Sequence, residues 1–188
     1  MRYIGLDLST VSSGYSVFEN DKLIEYGAIV PKDTDVMNRI EEVTIKIENI
    51  ITAHMPDKVI IEDTFYGANY LTTKLLNRLA GAVYYAVKTI KDVPIIFVTP
   101  TGARKVFGIL PSSTKKNIVD AVNKKFDKDF ELKENDVTDA IVLGWYGWYQ
   151  DNNPNEFLKK TEKDFFTQKV NSKIRVGKPG QKPRRKIK

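Results

Sequence analysis

Residues 2–18 read RYIGLDLSTVSSGYSVF, and the folding of this stretch decides the architecture. Tyr3 and Ile4 run into Gly5-Leu6-Asp7, small polar residues follow at once, and a second β-rich run opens at Gly14. β-branched and aromatic residues bounded by Ser, Thr and Gly are the pattern of a strand, a turn and a returning strand. Residues 2–8 are predicted as the first strand and 14–18 as the second. Past an Asn20-Asp21 turn, residues 22–30 form the third, giving an antiparallel meander. The first strand thus delivers one carboxylate, Asp7, to a small-residue turn. A lone acid there decides nothing; what matters is whether other acids reach the same place.

Outward from the meander, the periodicity changes. Over residues 35–54, Val36, Ile40, Val43, Ile47, Ile50 and Ile51 follow helical spacing, which Pro56 ends. Residues 58–62 (KVIIE) read as a short buried strand and 94–98 (PIIFV) as another. Between them, residues 70–91 repeat the helical pattern through Leu71, Leu75, Leu79, Val83 and Val87. Residues 99–107 read as a short helix or turn carrying Arg104 and Lys105. Ser112-Ser113 is expected to cap a helix running to Phe126, and Asn135 to cap a last helix from Asp136 to about Tyr149. The order β-β-β-α-β-α-β-α-α makes strands 1, 4 and 5 parallel partners joined by helices, in an α/β fold with a mixed five-stranded sheet.

The chain has 188 residues, enough for one domain with a sizeable core. It contains no cysteine, which excludes disulfides, thiolate metal sites and cysteine nucleophiles and suits the cytoplasm. No run of about 18 apolar residues is present, so no membrane span is expected, and the N-terminus lacks a signal peptide's apolar core. The net charge of +6 is unevenly placed: residues 171–188 hold eight Lys/Arg and no acid, leaving 22 basic against 24 acidic residues before them. Rich in Gly and Pro, that basic tail is expected to be disordered. It reads either as an arm that neutralises phosphates or as a solubilising extension.

The carboxylates at element ends carry the chemistry. Asp7 ends strand 1, and Glu62 ends strand 4 after Val59-Ile60-Ile61. In an open parallel sheet the carboxyl ends of neighbouring strands lie on one edge, where ligands bind. Asp136 and Asp139, three apart at the start of the last helix, share one face, and the helix N-terminus is expected to keep both ionised. Four acids gathered at one edge repel one another unless a divalent cation neutralises them. Oxygen ligands without His or Cys suit Mg²⁺ or Mn²⁺. Two such ions about 4 Å apart clamp a scissile phosphate. Each acid alone also has a bland reading: Asp7 as a turn former, Asp136 or Asp139 as helix caps. Glu62, following three buried aliphatics, needs a partner in any reading.

GLDLST followed by GYSVF, then VIIEDTF, then DVTDAIVLG, resembles the RuvC family of Holliday junction resolvases over about residues 1–150. The resemblance implies an RNase H-like fold, with Asp7, Glu62, Asp136 and Asp139 as the metal-binding catalytic acids, two Mg²⁺ (or Mn²⁺) per site. It also implies a homodimer that resolves four-way junctions by paired nicks, leaving ends that ligase can seal. On this reading residues 1–155 are the nuclease domain and 156–188 a C-terminal extension, basic from 171. Phe65 resembles the family's aromatic that stacks at the junction centre, with Tyr66 as the other candidate. Arg104, Lys105, Lys115 and Lys116 stand where the family grips phosphate. Lys at a helix start opposes the helix dipole, which favours an external phosphate for Lys115 and Lys116. The long basic tail makes the chain look like the resolvases of some bacteriophages, implying action in the cytoplasm of a bacterial host.

Other residues are expected to be structural. His54, the single histidine, falls at a helix end, and Trp145, Tyr146, Trp148 and Tyr149 should pack. Ala80-Gly81-Ala82, with Leu76, Leu79 and Val83, serves equally as a dimer surface or as packing on the chain's own sheet. Three further functions compete. A GxDxST turn also opens actin-like ATPases and sugar kinases, but those need two such domains and a second phosphate loop. A flap or RNA–DNA hybrid nuclease keeps the fold and changes the substrate. A non-catalytic branched-DNA binder gains nothing from acids clustered near phosphate.

Overall fold

The computed structural model describes residues 1–63 and 70–158. Phe65, Tyr66 and the basic tail from residue 171 lie outside the described residues. The chain divides into two units, Met1–Asn152 and Asn153–Lys188. In the first, β1 (Arg2–Asp7), β2 (Ser13–Glu19) and β3 (Lys22–Ile29) form the meander, followed by α1 (Val36–His54), β4 (Lys58–Glu62), α2 (Tyr70–Ile90) and β5 (Ile95–Val98). Then come α3 (Pro100–Phe107), α4 (Lys115–Phe126), a 3₁₀ turn (Leu132–Glu134) and α5 (Asn135–Asn152). In the second unit, α6 (Pro154–Leu158) is described. No helix among the described residues is long and apolar enough to cross a membrane.

The sheet order is β3-β2-β1-β4-β5, with β1–β2 and β2–β3 antiparallel and β1–β4 and β4–β5 parallel. This is the mixed sheet the sequence predicts. Side chains alternate across it. Ile4 and Leu6 of β1 with Val59 and Ile61 of β4 enter a core built with Ile40, Val43, Ile47 and Ile51 of α1 and Leu79, Val83 and Val87 of α2. The opposite face, carrying Tyr3, Gly5 and Asp7 of β1 and Lys58, Ile60 and Glu62 of β4, receives α5.

Helix α5 lies against β1, β2 and β4 and is itself flanked by α3 and α4. It is therefore buried nearly all round, through Val137, Thr138, the run Ala140–Gly144, Tyr146 and Gly147. Its approach to the sheet is backbone on backbone. A Cβ on Gly5 would stand 2.3 Å from the Ala140 carbonyl oxygen, and one on Gly147 2.3 Å from Ile60 Cδ1. Ser16 Oγ donates to the Ala140 carbonyl at 2.7 Å, satisfying a buried hydroxyl and fixing the helix along β2.

Two helix starts differ from the sequence reading. Thr114, rather than Ser112-Ser113, caps α4, its hydroxyl accepting from the Asn117 N–H at 3.4 Å. Leu110 to Ser113 is instead a turn, closed by the Ser113 N–H on the Leu110 carbonyl at 3.0 Å. Asn135 is the first residue of α5 and not its cap, because the preceding 3₁₀ turn feeds straight into the helix. Leu79 and Val83 are core residues packed with α1, so that part of the stripe covers the chain's own sheet. Gly81 lies on the other side of α2, where a Cβ would meet nothing within 4 Å.

The tryptophans of α5 and the histidine are structural. Trp145 sits edge-on to Phe18, Phe107 and Phe126 and tilts against Trp148 at 4.4 Å, with the Lys125 ammonium 3.9 Å from its ring centre. His54 Nε2 is 2.9 Å from Glu25 Oε2, so the histidine bridges α1 to β3.

Candidate active site at the carboxyl edge of the sheet

The turn after Asp7 is locked by its own serines. Ser13, fully buried, donates from Oγ to the Ser9 carbonyl at 2.7 Å and accepts from the Ser9 N–H at 2.9 Å. Ser9 Oγ in turn accepts from the Val11 N–H at 3.1 Å. These bonds replace the ladder at the point where β1 turns into β2, and they hold the end of β1 rigid.

Across the β1–β2 ladder, Asp7 stands opposite Gly14. A Cβ on Gly14 would fall 1.9 Å from the Asp136 carbonyl oxygen. The missing side chain at Gly14 is thus what lets the first turn of α5 settle beside Asp7, bringing Asp136 and Asp139 to the strand end. Sequence reasoning missed Gly14 and Gly5 as positioning residues. An isolated Gly within a strand pattern, which often marks close backbone approach, was the available signal. At the start of α5, Asn135 Nδ2 donates to Asp136 Oδ1 at 2.5 Å, orienting that carboxylate.

Glu62 arrives from the adjacent strand. The β1–β4 register pairs Leu6 with Ile61, so the next residues, Asp7 and Glu62, end neighbouring parallel strands at one level. One strand further, β5 ends at Val98. Its carbonyl accepts from the Asp63 N–H at 2.9 Å, and Thr99 caps α3 through the Gly102 N–H at 3.2 Å. Helix α3 carries Arg104 inward, Nη2 3.9 Å from Asp139 Oδ1.

Burial and mutual repulsion dominate the electrostatics. Burial first, then the charges of Glu62, Asp139 and Asp136, raise the Asp7 pKa well above the ordinary carboxylate value, against the opposing pull of Lys115. Burial and Asp139 push Glu62 up to about 7 despite Arg104 and Lys115. Burial also raises Asp139, outweighing Arg104 and Lys115. For Asp139 desolvation thus opposes the pull of the helix N-terminus toward the ionised form and outweighs the neighbouring cations. Asp7 feels all three other acids, Glu62 feels Asp139, and Asp139 feels Asp136.

The predicted basic residues separate. Arg104 and Lys115 act on the acids directly. Lys116, one position on, is 73% exposed and pairs with Asp120 on its own helix at 2.7 Å, four residues away. Lys105 lies on the exposed side of α3.

The donor set suits a hard divalent cation: oxygen ligands alone, with excess negative charge and no imidazole or thiol. Among the described residues, no three acidic or histidine side chains are already grouped closely enough to hold a metal ion. The acids share a field without yet closing on a point.

A mixed sheet whose parallel strands end in mutually repelling acids, with a further pair brought in on a helix, is the layout of the metal-dependent nucleases built on an RNase H-like fold. A family model described as crossover junction endodeoxyribonuclease RuvC matches residues 3–145, and the chain belongs to that family. RuvC of Aliarcobacter butzleri is 29% identical over 148 residues, covering 76% of this chain and 95% of the relative. RuvC of Campylobacter jejuni is 28% identical over 147 residues, covering 76% and 91%. Among solved structures, Thermus thermophilus RuvC matches with a TM-score of 0.70 at 14% identity, over 81% of this chain and 96% of that one. The yeast mitochondrial Holliday junction resolvase matches with a TM-score of 0.52 at 16% identity, over 78% of each chain. At these identities the two structural likenesses speak to the fold.

Proposed function

We propose that this chain is an endodeoxyribonuclease that resolves four-way DNA junctions by metal-assisted hydrolysis, with Asp7, Glu62, Asp136 and Asp139 as its catalytic acids. The observation that carries the reading is the convergence of these four carboxylates, from two strands and one helix, into a single field that raises Asp7, Glu62 and Asp139 together. Such a cluster is costly in a free protein and is relieved by cations. These four residues would hold two Mg²⁺ or Mn²⁺ ions, which when bound activate a water and stabilise the leaving oxygen of the phosphodiester. The rigid Ser9–Ser13 turn and the seated start of α5 fix the acids relative to one another. Arg104 and Lys115 offer cationic contacts for the strand being cut; Lys105 and Phe65 are further DNA contacts on the family pattern, with Lys116, paired to Asp120, a weaker one.

Junction resolution needs two sites acting on opposing strands, and we assign the protein as a homodimer. The supporting surface is the outer face of α2, where Tyr85 is 71% exposed and a Cβ on Gly81 would meet nothing within 4 Å. The protein would work in the cytoplasm of a bacterial cell, where branched DNA arises.

The test is cleavage of an end-labelled four-way junction with Mg²⁺, run beside an RNA–DNA hybrid duplex. Two symmetric nicks across the junction, with the hybrid uncut, are expected. Preferential cutting of the hybrid, or single unpaired nicks, would replace this reading with the hybrid or flap nuclease.

A further inference from the structure

The site contains its own counter-charge, and the way that charge is held is informative. Arg104 Nη2 and Asp139 Oδ1 are 3.9 Å apart, their side chains 21% and 14% exposed. The separation gives a strong Coulombic attraction in a partly desolvated place but is about 1 Å too long for a directional hydrogen bond. Arg104 is thus a neighbour of Asp139 without being locked to it. Its backbone, by contrast, is fixed. Thr99 caps one end of α3, and Gly108, in the left-handed region at φ 86°, caps the other, with the Ile109 N–H on the Arg104 carbonyl at 2.8 Å. Only the side chain is free to swing. Lys115, exposed at the first position of α4, adds a second positive charge whose field reaches Asp7, Glu62 and Asp139. Against these two cations stand acids that do not yet close around an ion among the described residues.

We propose that Arg104, supported by Lys115, is an exchangeable counter-cation: it neutralises Asp139 while no DNA is bound, and a backbone phosphate draws the guanidinium away and frees Asp139 for a divalent ion. The inference rests on the nuclease reading above. A guanidinium makes two parallel, charge-assisted hydrogen bonds to a phosphate, stronger and better directed than its 3.9 Å contact with Asp139. The phosphate also brings negative charge toward the acids as their positive neighbour leaves. Ion and DNA binding then reinforce each other, each raising the other's affinity by the same factor. An ion arriving without DNA must compete with the arginine. Arg104 is in this sense a positioning residue for the metal ligands as well as a contact for the strand.

Calorimetric titration of the full chain with Ca²⁺, alone and with an immobile four-way junction, tests the exchange. In the unaltered protein the junction is expected to raise Ca²⁺ affinity about tenfold or more. Arg104→Gln should bind Ca²⁺ alone about five- to tenfold more tightly and show a correspondingly smaller enhancement by the junction. Lys115→Gln should move in the same direction by less, and Arg104→Lys should return most of the original behaviour. Arg104→Gln with a native circular dichroism spectrum and unchanged or weaker Ca²⁺ binding would overturn the exchange and leave the nuclease reading standing. Should Arg104→Gln not fold, Lys115→Gln at its exposed position decides: unchanged Ca²⁺ affinity there overturns the proposal. An unaltered protein that binds no Ca²⁺ with or without junction would overturn both readings.

Discussion

Helix α5 bears acids at both ends, and the two ends of the sheet treat them in opposite ways. At the amino edge of β1 and β4, Asp151 meets the ammonium of Lys58 in a salt bridge, and Lys58 is only 9% exposed. Tyr3, paired with Lys58 across the ladder, shares that network, its hydroxyl pushed up to about 12 by burial and by the charge and hydrogen bond of Asp151. Asp57 nearby accepts from the Arg2 N–H at 2.9 Å and pairs with Lys91 at 3.4 Å, which with burial opposing leaves its pKa lowered. At the carboxyl edge, at the other end of the same strands, Asp7, Glu62 and Asp139 are raised instead. One helix and the same two strands thus carry a compensated end that holds the fold together and an end where Arg104 and Lys115 only partly offset the repulsion. The difference marks where the proposed cations would relieve the protein.

The largest way to sharpen this contrast is to neutralise the repelling end. Asp7→Asn should reduce junction cleavage by about a thousandfold or more, since the acid is proposed to hold the catalytic ions. The same class of change should stabilise the ion-free protein. Glu62→Gln is expected to raise unfolding free energy in EDTA at pH 8 by about 1–3 kcal/mol, because a group pushed up to about 7 no longer has to ionise. Cleavage assays and urea unfolding check the two halves, and a Glu62→Gln protein that is both inactive and less stable would break the comparison.

Disturbing the compensated end should have the reverse signature. Lys58→Met leaves Asp151 partly buried without its cation and should cost about 2 kcal/mol, less than for a fully buried pair because Asp151 retains 28% exposure. Cleavage per folded molecule should be unchanged below the lowered melting temperature. A drop in cutting rate with unaltered stability would show that the two ends communicate.

The pH dependence follows from the same asymmetry. Carboxyls raised in the folded chain bind more protons folded than unfolded between the two pKa values, so stability is greatest when they are protonated. For Glu62 this means that the ion-free protein loses stability as pH rises from about 4.5 to about 7, with Asp7 and Asp139 adding in the same direction. Melting curves across that window in EDTA should show the decline, and saturating Mg²⁺ should flatten it. The smallest effect separates two neighbours: Lys115→Gln should weaken cleavage several-fold, while Lys116→Gln, whose partner is Asp120 on its own helix, should change it less than twofold. Equal losses from both would make Lys116 as important a contact as Lys115.

Much of this contrast was legible in the residues, and the limits have physical causes. Strand positions and the acid at each strand end follow from period-two patterning and turn chemistry, which are local. The placement of α5 does not. Its burial on nearly every side leaves only a weak amphipathic signal, and its seat depends on Gly5 and Gly14, which in sequence look like ordinary interruptions of a strand. The Lys58–Asp151 pair joins positions 93 apart, and no local pattern announces it. The different surroundings of Lys115 and Lys116 follow from where α4 begins. Ser112, Ser113 and Thr114 are all competent caps, and the tight turn from Leu110 to Ser113 selects Thr114. The upward shift of Asp139 could not be read from the residues, because the helix dipole is visible from spacing while desolvation is visible only in three dimensions.

The close seating of α5 bears on how this protein can vary. Where main chain meets main chain at Gly5 and Gly14, the interval between the strand-borne and helix-borne acids is set by bond lengths and van der Waals radii, with no side chain in between to adjust. Gly14→Ala has nowhere to put one carbon atom. Drift or engineering can therefore remodel the outer helices and loops freely while this seam stays a fixed gauge, and heat should leave the gauge intact until helix and sheet part in a single step.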